Sequence, residues 1–376
     1  MIITKTLQKY KNNKILHQLG NPHQLPKQDC YKYFIIIPSF SEEEYIFDTL
    51  QSISNQNQTL LSKTLIVIII NNANGTSNDI KKNNQRTYDR LLISNYTFEI
   101  IIIDCFSSMY ALNDSNAGVG LARKIGYDYC INYADYNSLF FSLDADTLIH
   151  KNYLLFVVDF FKKNKYECVV VNFKHQSNDD LMVQKAISKY ERLLKDIAYQ
   201  IKLTGSPYGF VSMGSTIICT MNAYIAVGGM PIKKATEDFY FLQKLAKYTK
   251  VEIIKKILVY PSSRPETRVY LGTGFRMSSI ENDYLFKDLY INPKAYLVLK
   301  NFFTIIDKNW NNDIKEILLS LQQKSSKLYS YLEKENFNKA FKKIQKNSIS
   351  KKQLLNQFHI WFDNLKLYKF LKLYVD

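Results

Sequence analysis

Two aspartates separated by one residue, Asp144-Ala145-Asp146, follow the apolar run Leu139–Leu143. Carboxylates in that spacing, just past a buried strand, can share one divalent cation if the chain turns there. Mg²⁺ or Mn²⁺ takes a few hard oxygen ligands and completes its shell with phosphate oxygens. Such a cation would offset the charge on a departing diphosphate. A second acidic pair, Glu237-Asp238, opens a helical pattern shortly after Gly228-Gly229. A carboxylate there could take the proton from an attacking hydroxyl; paired acids also complement a helix dipole. The third candidate is Ser262–Arg276, in which Arg264 and Arg268 lie four residues apart among serines and glycines. The guanidinium fork matches phosphate oxygens, and arginine is scarce in this lysine-rich chain. His150 and His175 each stand alone and read as ordinary surface or core histidines rather than metal ligands.

The elements that must position these groups follow from hydrophobic patterning. Tyr33–Ile37, Leu65–Ile70, Phe98–Ile103, Leu139–Leu143 and Cys168–Phe173 are short, nearly unbroken apolar runs. Runs of that kind predict strands buried on both faces of a mostly parallel sheet. Helical spacing lies between them: after Ser41-Glu42-Glu43-Glu44, which reads as a helix cap with first-turn acids, then over Gly118–Ile131 and Asn152–Lys163. This alternation predicts an α/β domain, and open sheets of this class bind ligands at the carboxyl ends of their strands. Those ends carry Pro38-Ser39, Asn71-Asn72 and Asp144-Ala145-Asp146.

Three segments are expected: an irregular lead-in over 1–30, an α/β domain over 31–283, and a basic, mainly helical region over 284–376. From Lys294 onward there are 16 lysines, no arginine and 7 acids, so nine of the sixteen net positive charges lie there. Such a surplus draws phosphates in nucleotides, anionic lipid or nucleic acid. Within this region Leu354–Tyr374 is both aromatic and basic, the composition of an in-plane membrane helix. The expected alternative, which we favour, is a helix packed by its apolar face on the catalytic domain. The 5 cysteines form no CxxC pair and read as reduced thiols. No signal-peptide pattern and no membrane-spanning run are evident. A cytoplasmic location is expected, with peripheral attachment to the inner face of a membrane as the variant.

Taken in order, several segments resemble the family-2 glycosyltransferases, which have the GT-A fold. They are Ile35-Ile36-Ile37-Pro38-Ser39-Phe40-Ser41-Glu42, the strand ending in Asn71-Asn72, Gly120-Leu121-Ala122-Arg123-Lys124-Ile125-Gly126, Leu143-Asp144-Ala145-Asp146, Gly228-Gly229 and Thr236-Glu237-Asp238. The resemblance spans roughly residues 33–250. It implies an inverting transfer of sugar from a nucleoside-diphosphate sugar to a glycan, lipid-linked or small-molecule acceptor. It further implies that Pro38, Ser39, Phe40 and Glu42 line the base and ribose, with Asn72 at the base and Arg123 or Lys124 near the base or diphosphate. Asp144 and Asp146 would bind ribose and metal, Asp238 would be the base with Glu237 beside it, and Mn²⁺ or Mg²⁺ would be the cofactor. Asn71-Asn72 stands where the family usually has an acidic pair, which leaves the identity of the nucleotide open. Asn74–Leu91 reads as a long polar loop. The Gln-x-x-Arg-Trp motif of processive synthases is absent, which favours single addition.

Two rival readings have distinct signatures. A nucleotidyltransferase would carry a glycine- and basic-rich loop after its first strand, where this chain has the acidic Ser41-Glu42-Glu43. A non-catalytic protein could bind membrane or nucleic acid through the basic C-terminal region; nucleic-acid binding would be strongly salt-dependent.

Overall fold

The apolar runs become strands because each buries almost every side chain: Phe34, Ile35, Ile36 and Ile37 are fully buried, as are Leu65 to Ile70. The computed structural model describes residues 5–16, 19–267, 272–279 and 286–375. These divide into two compact units, Met1–Gln184 with Ser212–Ser278, and Lys185–Val211 with Ser279–Asp376.

In the first unit the strands are β1 (Asn21–Pro22), β2 (Tyr31–Ser39), β3 (Thr64–Asn71), β4 (Glu99–Cys105), β5 (Ala134–Ser142), β6 (Leu148–Ile149), β7 (Cys168–Phe173), β8 (Ile217–Thr220) and β9 (Val251–Tyr260). They form one sheet in the order β1-β4-β3-β2-β5-β8-β7-β9-β6. The β4-β3-β2-β5 half is parallel. The other half is mixed, because β8 runs antiparallel between β5 and β7. The expected parallel character therefore holds for only part of the sheet. Pro38 does not end β2; Pro38 and Ser39 still lie opposite Ile69 and Ile70 of β3.

Helices flank this sheet: α1 (Lys5–Asn13), α2 (Ile46–Ser54), α3 (Gln58–Leu61), α4 (Asn78–Ile93), α5 (Val119–Cys130) and α6 (Tyr153–Lys163). After the long α7 (Leu181–Leu203) come α8 (Met221–Ala226), α9 (Glu237–Tyr248) and the short α10 (Thr273–Met277). α5 packs closely on β2 and β3 because Gly126 has no Cβ; one built there would overlap Ile69 and lie 2.7 Å from the Ile36 methyl. Three expectations change. The lead-in is not wholly irregular, since α1 buries Leu7 and Tyr10. Ser41-Glu42-Glu43-Glu44 is a turn, with Ser41 at φ 58°, and the helix starts at Ile46. Asn74–Leu91 is mostly α4 rather than a loop, burying Asn84, Thr87 and Leu91 on one stripe.

The second unit is helical. The C-terminal part of α7 joins α11 (Pro293–Lys308), α12 (Ile314–Lys324), α13 (Ser326–Lys334), α14 (Phe337–Asn347), α15 (Lys351–Trp361) and α16 (Asn364–Leu371). Its core includes Ile201, Phe302, Phe337, Phe358, Phe362 and Phe370. The Leu354–Tyr374 segment therefore spends its aromatic face inside the bundle, with Phe358 stacking edge-on to Phe302 at 5.3 Å. Packing is the outcome, and within this unit the segment covers α11. Among the described residues no helix is long and apolar enough to cross a membrane.

Candidate active site

The carboxyl ends of β2, β3 and β5 bring the sequence candidates to one edge of the sheet. β5 ends at Ser142, and Leu143 continues by donating its N–H to the Ile36 carbonyl at 3.1 Å. The chain then turns through Asp144-Ala145-Asp146, with Thr147 N–H closing onto the Asp144 carbonyl at 3.2 Å. Thr49 on α2 fixes this turn by donating to the Ala145 carbonyl at 2.8 Å. Asp144 and Asp146 thus leave the sheet held at their backbones, with side chains 35% and 22% exposed.

Arg123, only 3% exposed, is the centre of the site. One of its terminal nitrogens pairs with Asp144 and the other with Glu237 at the start of α9. Room for it comes from Gly214, where any Cβ would collide with the guanidinium. Burial alone would favour its neutral form, but Asp144 and Glu237 more than offset that and hold it charged. Burial pushes the Glu237 carboxyl up to about 7 against the pull of Arg123. Asp238, half-buried beside it, is also raised by burial and lowered by Arg123. Its Oδ1 accepts from the Phe239 N–H at 2.7 Å, and Thr236 enters the helix at φ 64°.

A second arginine serves the other aspartate. Arg264, just after β9, pairs with both oxygens of Glu42 at 2.9 and 2.7 Å and with Asp146 at 3.2 Å. Its guanidinium lies 3.8 Å from the Tyr45 ring centroid. Arg268 lies outside the described residues. Both aspartates of the Asp-x-Asp turn are therefore neighboured by guanidinium groups, one from α5 and one from the segment after β9.

The nucleotide-facing candidates are placed differently from one another. Pro38 and Ser39 are buried within β2, and Phe40 is half-buried. Asn72 is fully buried and its amide is engaged: Nδ2 donates to the Ala73 and Phe106 carbonyls, and Oδ1 accepts from Asn84 at 2.9 Å. Asn84 also donates to the Asn71 carbonyl at 3.1 Å and accepts from the Ser41 N–H at 2.9 Å. It thereby ties the ends of β2 and β3 together, a role hidden in a stretch that reads as polar loop. Lys124 is not brought to this cluster. It pairs with Asp128 at 2.8 Å in a buried network with Tyr10 and Tyr224. His150 accepts from the Asn152 N–H at 3.1 Å, and the His175 ring packs on Phe173.

Among the described residues no cluster of three or more His, Cys, Asp or Glu side chains is placed to hold a metal. The donor set nevertheless suits a divalent cation completed by a ligand's oxygens. Glu42, Asp144, Asp146, Glu237, Asp238 and Glu266 gather about Arg123 and Arg264, six carboxyl groups to two guanidinium groups. That surplus of negative charge opposes a diphosphate unless a cation accompanies it.

No family model matches the chain, and no curated protein matches it. Among solved structures it is similar to S. aureus TarS 1–349 in complex with UDP-GlcNAc, at 12% identity and a TM-score of 0.44, covering 88% of this chain and 91% of that one. It is likewise similar to the mannosyltransferase PcManGT from Pyrobaculum calidifontis in complex with GDP-Man and Mn²⁺. There the identity is 13% and the TM-score 0.42, with 94% of each chain covered.

Proposed function

We propose that the chain is an inverting glycosyltransferase of the family-2, GT-A kind, adding single sugars from a nucleoside-diphosphate sugar to an acceptor hydroxyl. The observation that carries this reading is Arg123. It joins Asp144 at the end of β5 to Glu237 at the start of α9, so two acidic motifs far apart in the chain form one site. A diphosphate leaving group and a proton-accepting carboxylate need that proximity.

In this reading Asp144 and Asp146 would hold a Mn²⁺ or Mg²⁺ ion, which when bound would neutralise the diphosphate. Asp238 accepts the proton of the acceptor hydroxyl as its oxygen bonds to the anomeric carbon. The bond from that carbon to the diphosphate oxygen breaks on the opposite face, releasing the nucleoside diphosphate. Glu237 is positioned by Arg123, which leaves the half-exposed Asp238 as the base. Glu42 and Arg264 sit beside the donor, and Arg264 turns toward phosphate oxygens. Pro38, Ser39 and Phe40 wall the base and ribose. Asn72 shapes the base pocket through Asn84, since its own amide is engaged.

The test is thermal unfolding with Mn²⁺ and a panel of nucleoside diphosphates. One nucleotide should raise Tm only with metal, and Asp146→Ala should abolish the shift. If no nucleotide stabilises the wild type under any metal, the donor site is misassigned.

A further inference from the structure

We infer that the corner between α14 and α15 is a docking surface for an anionic lipid bilayer. This stands apart from the sugar-transfer reading and lies outside the Leu354–Tyr374 segment whose composition suggested a membrane helix. Residues 339–352 hold six lysines and no acid. Lys339, Lys342, Lys343 and Lys346 recur at helical spacing and all are exposed, while Phe337 and Phe341 turn into the bundle core. Lys351 and Lys352 continue the exposed cationic run at the start of α15. Of these lysines, Lys351 pairs with Asp307 at 3.0 Å.

At the apex, Ile349 is 96% exposed. Its exposure is built in rather than a loose end. The Ile349 N–H donates to Gln353 Oε1 at 2.9 Å, Gln353 N–H donates to Ser350 Oγ at 3.3 Å, and Gln353 Nε2 donates to the Asn347 carbonyl. This capping arrangement fixes the turn that holds the side chain out. Gln345 also donates to the carbonyls of Trp310 and Asn312, at 3.0 and 2.9 Å, which ties the end of α14 to the turn between α11 and α12. An apolar tip flanked by lysines is the chemistry of the headgroup boundary. A nucleic-acid groove would use the lysines but gain nothing from an isoleucine at their centre.

Sedimentation of the full chain with vesicles tests the assignment. Vesicles of equal parts phosphatidylcholine and phosphatidylglycerol should bind it, and pure phosphatidylcholine should not. Ile349→Ser should weaken binding about tenfold. Lys342→Gln with Lys343→Gln should weaken it about 25-fold, at roughly fivefold per lysine. Both variants change exposed side chains, and unchanged thermal unfolding would show them folded. The inference is overturned if the anionic vesicles do not bind, if pure phosphatidylcholine binds equally, or if either variant binds like the wild type. A duplex DNA that binds the wild type and Ile349→Ser equally, with no vesicle binding, would assign the lysines to nucleic acid instead.

Discussion

Replacing Arg123 by methionine keeps much of the side-chain volume and removes the charge that Asp144 and Glu237 share. The two acids should suffer unequally. Asp144 is 35% exposed and water can solvate it, whereas Glu237 is 4% exposed. The loss is therefore dominated by one buried carboxylate left without its partner, about 3–5 kcal/mol at a pH where it stays ionised and less where it takes up a proton instead. In a unit of this size that lowers Tm by on the order of 10 °C. The loss should depend on pH with a defined sign. In the wild type Glu237 is raised from 4.5 to about 7. Its contribution is thus fully present below pH 4.5 and lost as pH rises through 7. Without Arg123 the carboxyl rises further, so the decline extends to higher pH and the deficit relative to wild type is larger at pH 8 than at pH 6. Calorimetry across that range measures it. Adding Glu237→Gln should recover much of the loss, because the stranded charge is gone. An Arg123→Met protein melting within about 2 °C of wild type at pH 8 would refute the reasoning. So would a deficit independent of pH, or losses that simply add in the double variant.

Asp238→Asn should lower kcat by about 10²- to 10⁴-fold while nucleotide-dependent stabilisation stays intact; product formation and thermal shift separate the two effects. Asn84→Ala should destabilise the sheet unit by about 2–4 kcal/mol, because it leaves the Ser41 N–H, the Asn71 carbonyl and Asn72 Oδ1 without a shared partner. It should also weaken nucleotide binding, and unfolding together with a nucleotide titration checks both.

The parallel half of the sheet was legible because β2, β3 and β4 are buried on both faces and so must be continuous apolar runs. β8 was not, since four residues carry no period, and β9 was masked by exposed Lys255 and Lys256 inside it. α4 hid for a similar reason: only Asn84, Thr87 and Leu91 are buried, and two of these are polar. The acids of the site could be found because the two motifs announce themselves by spacing. Their arginine partners could not be assigned, since Arg123 meets Glu237 across 114 residues and Arg264 meets Glu42 across 222. Lys124 shows the reverse: neighbouring Arg123 in sequence, it faces Asp128 one turn along the same helix.

The grouping of Lys185–Val211 with the C-terminal helices has a consequence for how the chain can be divided. The helical unit is assembled from two separate stretches, and the sheet unit resumes between them at Ser212. On the ribosome, Ile197 and Ile201 emerge long before Phe302, Phe358 and Phe370 exist to cover them. The sheet unit can complete β9 while that stripe still waits. Cutting the gene near residue 284, the boundary that composition suggests, would make the wait permanent. A self-sufficient fragment of the sheet unit would need the apolar face of α7 redesigned as well as its tail removed.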